Sequence, residues 1–181
     1  MNNMGAKTIE IPPIKSQKYS MCAQILLRIL ATTFTLTAAC LVFTSDETVN
    51  VFTIEMEARY SYSPALKFFT YANIIGCAFS VFSLFLASIY GRMGIHPSKY
   101  FYLFIHDMIM MALLLAGCAA ATTIGYVAKY GESHSGWMPI CDSVRKFCHK
   151  IIASIAFSYF GVIFYVCLAI ISANQYRKIQ V

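Results

Sequence analysis

The chain has 181 residues, of which 59% are hydrophobic and 12% charged, and its mean hydropathy is +0.63. Soluble domains run at about 45–50% apolar and about 25% charged, so 14 Lys/Arg and 8 Asp/Glu cannot cover a water-exposed surface of this size, which excludes a soluble globular fold. The net charge of +6 does not imply nucleic acid, because the cations sit in short flanks between apolar blocks and build no polybasic face.

In chain order, a tail over 1–20 precedes four apolar blocks at 21–44, 68–90, 101–127 and 151–173. Each reaches the roughly 20 residues a helix needs to cross a hydrocarbon core of about 30 Å. The expected fold is therefore an all-α membrane protein, a bundle of four transmembrane helices. The first block is too long for a signal-peptide core of about 7–15 residues and contains Arg28, so it is expected to be a retained anchor. Between the blocks lie an acidic loop over 45–67, a basic turn over 91–100 with Gly91, Gly94 and Pro97 as breakers, and a polar loop over 128–150; a tail over 174–181 follows.

The first loop alternates: Phe52, Ile54, Met56, Ala58, Tyr60 and Tyr62 on one face, Thr53, Glu55, Glu57, Arg59 and Ser61 on the other. Period two predicts a strand over 52–62, hairpin-paired and ended by Ser63-Pro64.

An even number of spans places both ends and the 91–100 turn on one side. Lys7, Lys15, Lys18, Arg92, Lys99, Arg177 and Lys178 fall there, against Arg59, Lys67, Lys129, Arg145, Lys146 and Lys150 on the other. Cations favour the cytosol, and this small excess is reinforced by Cys141 and Cys148, whose loop would pair in an oxidising compartment. Both termini are thus expected in the cytosol.

Arg28 and Asp107 are the only formally charged residues inside the spans. A central charge costs at least about 2.5–3.5 kcal/mol, and both lie at similar depths in helices running the same way, so a structural ion pair is expected. The rival is a proton or ion pathway that adds Asn73, which otherwise reads as an interhelical hydrogen-bonder. His106 follows helical geometry about 100° away from Asp107 and is expected near the headgroups. Small residues recur at helix spacing, with Gly117, Ala121 and Gly125 in the third span, Ala72, Gly76 and Ser80 in the second, and Ser154 and Ser158 in the fourth. Membrane helices pack through such stripes, which could also serve homotypic association.

Of seven cysteines, Cys22, Cys40, Cys77, Cys118 and Cys167 fall within spans and read as small apolar residues, with S-acylation of Cys22 as a rival. Cys141 and Cys148 form either a small disulfide loop or, with His134 or His149, part of a zinc site. The sequence holds no GxSxG, HExxH or phosphate-cradling glycine loop; no enzymatic activity, cofactor or metal is expected.

Arg28, Asp107, the run Ala58-Arg59-Tyr60-Ser61-Tyr62-Ser63-Pro64-Ala65-Leu66-Lys67-Phe68-Phe69 leading to Tyr71-Ala72-Asn73, and His134-Ser135-Gly136-Trp137-Met138-Pro139-Ile140-Cys141 continuing to Phe147-Cys148 follow in a characteristic order. By these residues the chain, from about Tyr19 to Tyr176, resembles the plant Casparian strip membrane domain protein-like (CASP-like) family, closest to subfamily 1. In the first outer loop it lacks the founding members' short signature. Arg28 and Asp107 match the family's intramembrane pair, and Cys141 and Cys148 its second-loop cysteines. The resemblance implies a plasma-membrane protein related to four-span MARVEL proteins, forming homodimers or higher homo-oligomers and hetero-oligomers with family members. It implies a scaffold that organises membrane domains and positions cell-wall-side proteins. The alternative from another class is a small ion or proton transporter using Arg28 and Asp107.

Overall fold

A computed structural model describes residues 14–51, 54–92, 97–134 and 136–180. The tail cation Lys7, the loop positions Phe52 and Thr53, and the breaker Gly94 lie outside these residues. Four helices dominate: α1 (Ile14–Phe43), α2 (Pro64–Arg92), α3 (Pro97–Tyr130) and α4 (Arg145–Gln180). Each contains a segment long and apolar enough to cross a membrane, at Tyr19–Phe43, Pro64–Ile89, Tyr100–Tyr130 and Arg145–Arg177. With 29 to 36 residues apiece, the helices measure roughly 43–54 Å at 1.5 Å per residue, so their ends project beyond a hydrocarbon core of about 30 Å.

Local chemistry explains where the helices start and stop. Pro64 occupies a first-turn position, where its missing N–H is harmless, and the Ser63 hydroxyl accepts from the Leu66 N–H at 3.4 Å. At the far end of α3, Gly131 turns left-handed (φ +73°) and donates its N–H to the Val127 carbonyl at 2.8 Å. An added Cβ there would lie 2.7 Å from the Trp137 carbonyl oxygen, so the turn requires glycine. The segment over 128–150, expected as a loop, is helical at both edges. Cys148 consequently sits in the first turn of α4, while Cys141 precedes that helix.

The strand expected over 52–62 is shorter and differently placed. An antiparallel hairpin pairs β1 (Glu47–Val51) with β2 (Ile54–Ala58), Glu47 opposite Ala58 and Val51 opposite Ile54. The chain then coils into a 3-10 turn at Tyr60–Tyr62 before entering α2. Alternation continues on paper through Tyr62, but Ser63-Pro64 pulls the chain into a helix, and the tight turn is what joins strand to helix.

The helices form a closed ring in which α1 and α3 each pack against both α2 and α4. Small side chains let them approach. A Cβ on Gly117 would come 3.2 Å from that of Ala72 and 3.4 Å from the Phe69 Cα, and one on Gly161 would come 3.1 Å from the Thr35 methyl. Gly76 faces Leu114 at 3.3 Å, and Ala121 is fully buried. Gly125, grouped with these by spacing, is different: its nearest neighbour would be Ile155 at 3.7 Å, an ordinary contact. The seam between α1 and α4 is aromatic, with the Phe34 ring 5.2–5.6 Å from those of Phe157, Phe160 and Phe164. Hydroxyls within the helices return to their own backbone, as Thr35 does to Ala31, Thr70 to Leu66 and Thr122 to Cys118. In lipid this satisfies a polar group that has no water to turn to.

Candidate functional site

The ring leaves its two diagonals, α1 to α3 and α2 to α4, without extensive backbone approach, and buried polar side chains bridge both. On the first, the Arg28 guanidinium reaches Asp107 through two parallel bonds, Nη1 to Oδ1 at 3.0 Å and Nη2 to Oδ2 at 2.9 Å. Both side chains are 0% exposed. Nη1 also donates to the Ser83 hydroxyl on α2 at 2.6 Å, and that hydroxyl donates on to the Ser80 carbonyl at 2.9 Å. Arginine suits this position because its planar fork matches a carboxylate and its charge cannot be shed. The bond pair makes the site formally neutral, which offsets a desolvation penalty of several kcal/mol per ion.

His106, expected to point away from Asp107, reaches it instead. Its Nδ1 lies 3.2 Å from Asp107 Oδ1, its ring packs 5.9 Å from that of Phe79, and it is 21% exposed. Adjacent side chains diverge at Cβ, but the imidazole is long enough to swing back to the carboxylate. Three buried side-chain atoms have no hydrogen-bond partner among the described residues: Arg28 Nε, His106 Nε2 and Ser172 Oγ.

Two layers brace the second diagonal. Ser80 on α2 hydrogen-bonds the Tyr165 hydroxyl on α4 at 2.6 Å, and Tyr165 donates to the Gly76 carbonyl at 2.9 Å. Deeper toward the hairpin end, Ser158 on α4 donates to Asn73 Oδ1 at 2.8 Å, Asn73 Nδ2 donates to the Phe69 carbonyl at 2.9 Å, and the Cys118 thiol donates to Ser158 at 3.2 Å. Ser154 ties α4 to the Ala38 carbonyl of α1 at 2.7 Å. Asn73 thus bonds between helices, while Tyr165, fully buried at the centre of the network, carried no flag in the sequence beyond being a hydroxyl within a span.

A third set of ties closes the hairpin end. Cys141 and Cys148 are joined by a disulfide (S–S 1.99 Å), so both sulfurs are spent on each other and neither serves a zinc site. His134, named for that site, is 95% exposed and lies 3.7 Å from Glu132. Glu47 of β1 accepts the Phe147 N–H at 2.7 Å, placing a carboxylate on the first turn of α4, where the helix dipole favours it. The Lys150 ammonium donates to the Thr44 carbonyl at the end of α1. Nearby, Arg59 pairs with Asp46 and Glu57, and the Tyr62 hydroxyl donates to Glu57 at 3.1 Å, which raises the phenol's pKa above its ordinary value. Of the other cysteines, Cys22 and Cys40 are exposed on helix surfaces, Cys77 and Cys167 are half-buried and Cys118 is buried.

Four lipid-length helices, braced across both diagonals and capped by short folded loops, define a multi-pass membrane protein of the four-span bundle class. The family model of the Casparian strip membrane protein domain matches residues 18–164. The chain is 50% identical to CASP-like protein 1F1 of Vitis vinifera over all of its own length and 88% of that protein. It is 44% identical to CASP-like protein 1F2 of Populus trichocarpa over the whole of both, and 45% identical to CASP-like protein 1F1 of Ricinus communis over 93% of this chain and 94% of that one. The chain belongs to the CASP-like family, subfamily 1. No solved structure matches it.

Proposed function

We propose that the protein is a non-enzymatic scaffold of the plasma membrane: it assembles with copies of itself and with family members, and the assembly organises a membrane domain and positions cell-wall-side proteins. The observation that carries this reading is the bracing of both bundle diagonals by Arg28–Asp107, Ser80–Tyr165 and Asn73–Ser158. A scaffold must hold its shape while its flanks bear lateral contacts, and buried polar bonds that fix which helices stand opposite one another supply that shape. The transport reading has less support, because these buried polar groups are bonded to one another and to backbone carbonyls.

Both termini face the cytosol in this proposal. The cation excess on that side favours it, as does a disulfide at the hairpin end, which suits an oxidising exterior. An impermeant maleimide applied to intact cells is expected to label Cys141 and Cys148 only after reduction, relative to a variant lacking both. Labelling confined to inside-out vesicles would reverse the orientation.

Lateral assembly is tested by photobleaching a fluorescently tagged copy in plant plasma membrane. Recovery is expected to be slow and confined to patches. Fast, uniform recovery matching that of a freely diffusing four-span protein would defeat the scaffold reading.

A further inference from the structure

The loop between α3 and α4 carries a run of apolar side chains that no contact in the bundle explains. Trp137 is 62% exposed and Met138 83%, and Pro139 and Ile140 beside them are exposed as well. A loop standing in water would not gain from four such residues in succession. This one does not stand away from the bundle, because the Ile140 and Cys141 N–H groups both donate to the Ala128 carbonyl, at 2.9 and 3.1 Å. Ala128 lies inside the apolar segment Tyr100–Tyr130, so the loop folds back along the end of its own span.

The fold-back is held firmly. Glu132 and Trp137 exchange backbone hydrogen bonds at 2.8 and 3.0 Å, left-handed glycines at 131 and 136 make the turn, and the disulfide anchors Cys141 to α4. Trp137 is thereby fixed beside Gly131, one residue past the end of the span. Immediately below it on α3, Tyr126 and Tyr130 are exposed, with ring centroids 4.9 Å apart, and the Lys129 ammonium lies 5.1 Å from the Tyr130 ring.

We propose that the apolar run over 137–140 is a membrane-interface anchor, with Trp137 and Met138 seated in the headgroup and upper acyl region of the leaflet at the hairpin end. The occupant of this apolar run is lipid. The run is hydrogen-bonded through its backbone to the end of α3, where Tyr126 and Tyr130 are exposed, and the chemistry gathered there is that of an interface: amphipathic rings that want an apolar body and a wet edge, with a lysine whose charge complements lipid phosphate. The backbone of a turn is tolerated at that depth because water still reaches it, as it would not at the bilayer centre. The anchor rests on the helices spanning a bilayer and holds for either orientation and with or without lateral assembly.

Trp137 is the only tryptophan in the chain, so its fluorescence reports this loop alone. With the full chain reconstituted in phosphatidylcholine vesicles, blue-shifted emission is expected, with several-fold stronger quenching by lipids brominated near the carbonyl end of the acyl chain than by lipids brominated near its tip, and little quenching by iodide. Red emission with strong iodide quenching would place the loop in water and overturn the proposal. Protection from both brominated lipid and iodide would overturn it as well, since it would place the tip against protein, a second copy of the chain.

Discussion

Arg28 brings a fixed charge and a fork of donors into an apolar helix, and Asp107 and Ser83 bond both terminal nitrogens while Nε has no partner among the described residues. Removing one partner strands the other, so Arg28→Leu is expected to destabilise the fold by about 3–5 kcal/mol and to lower surface levels. Replacing both charges with leucine exchanges a buried pair for packing, often a neutral or stabilising change, so Arg28→Leu/Asp107→Leu should recover most of the loss in thermal unfolding in detergent. A double variant no more stable than Arg28→Leu would show that the two side chains are not coupled. The pair was legible in the sequence because charges within spans are scarce. Tyr165 was not: with 12 tyrosines and 14 phenylalanines in the chain, nothing marks a fully buried tyrosine hydroxyl at a helix crossing, since one helix does not specify its register against another. The contact of His106 with Asp107 was missed for a related reason, as backbone angle fixes where a side chain starts and not where its ring ends.

At the level of elements, spacing found the stripes of small residues but could not rank them. Gly117 sits against backbone, with Phe69 Cα and the Ala72 methyl in the way, whereas Gly125 has room. Gly117→Val should therefore cost about 1–3 kcal/mol by overpacking, while Gly125→Ala should be neutral or stabilise by up to about 1 kcal/mol by stiffening the helix; unfolding temperatures of the two variants check this. Equal losses at both positions would mean that the third helix packs differently. The helices were readable because their apolar runs are long. The hairpin was half readable: alternation marked β2, but β1 (Glu47–Val51) is short and polar, and its role emerges only through Glu47, which reaches a helix start 100 residues onward.

Across the whole molecule, the ties span the chain from Ser20, bonded to Gln175, to the hairpin end, where Glu47, Lys150 and the disulfide lock loops to helices. Family membership and the four-span architecture follow from sequence and fold together.

The Arg28–Asp107 bond also sets an order in time. Its partners are 79 residues apart, and at about 5–20 residues per second the arginine is synthesised some 4–16 s before the carboxylate that neutralises it exists. During that interval the first span carries an uncompensated insertion cost of about 2.5–3.5 kcal/mol. It becomes a comfortable membrane helix only when the third arrives. A nascent chain that stalls early therefore presents a poorly held span, a mark by which unfinished copies can be told from finished ones.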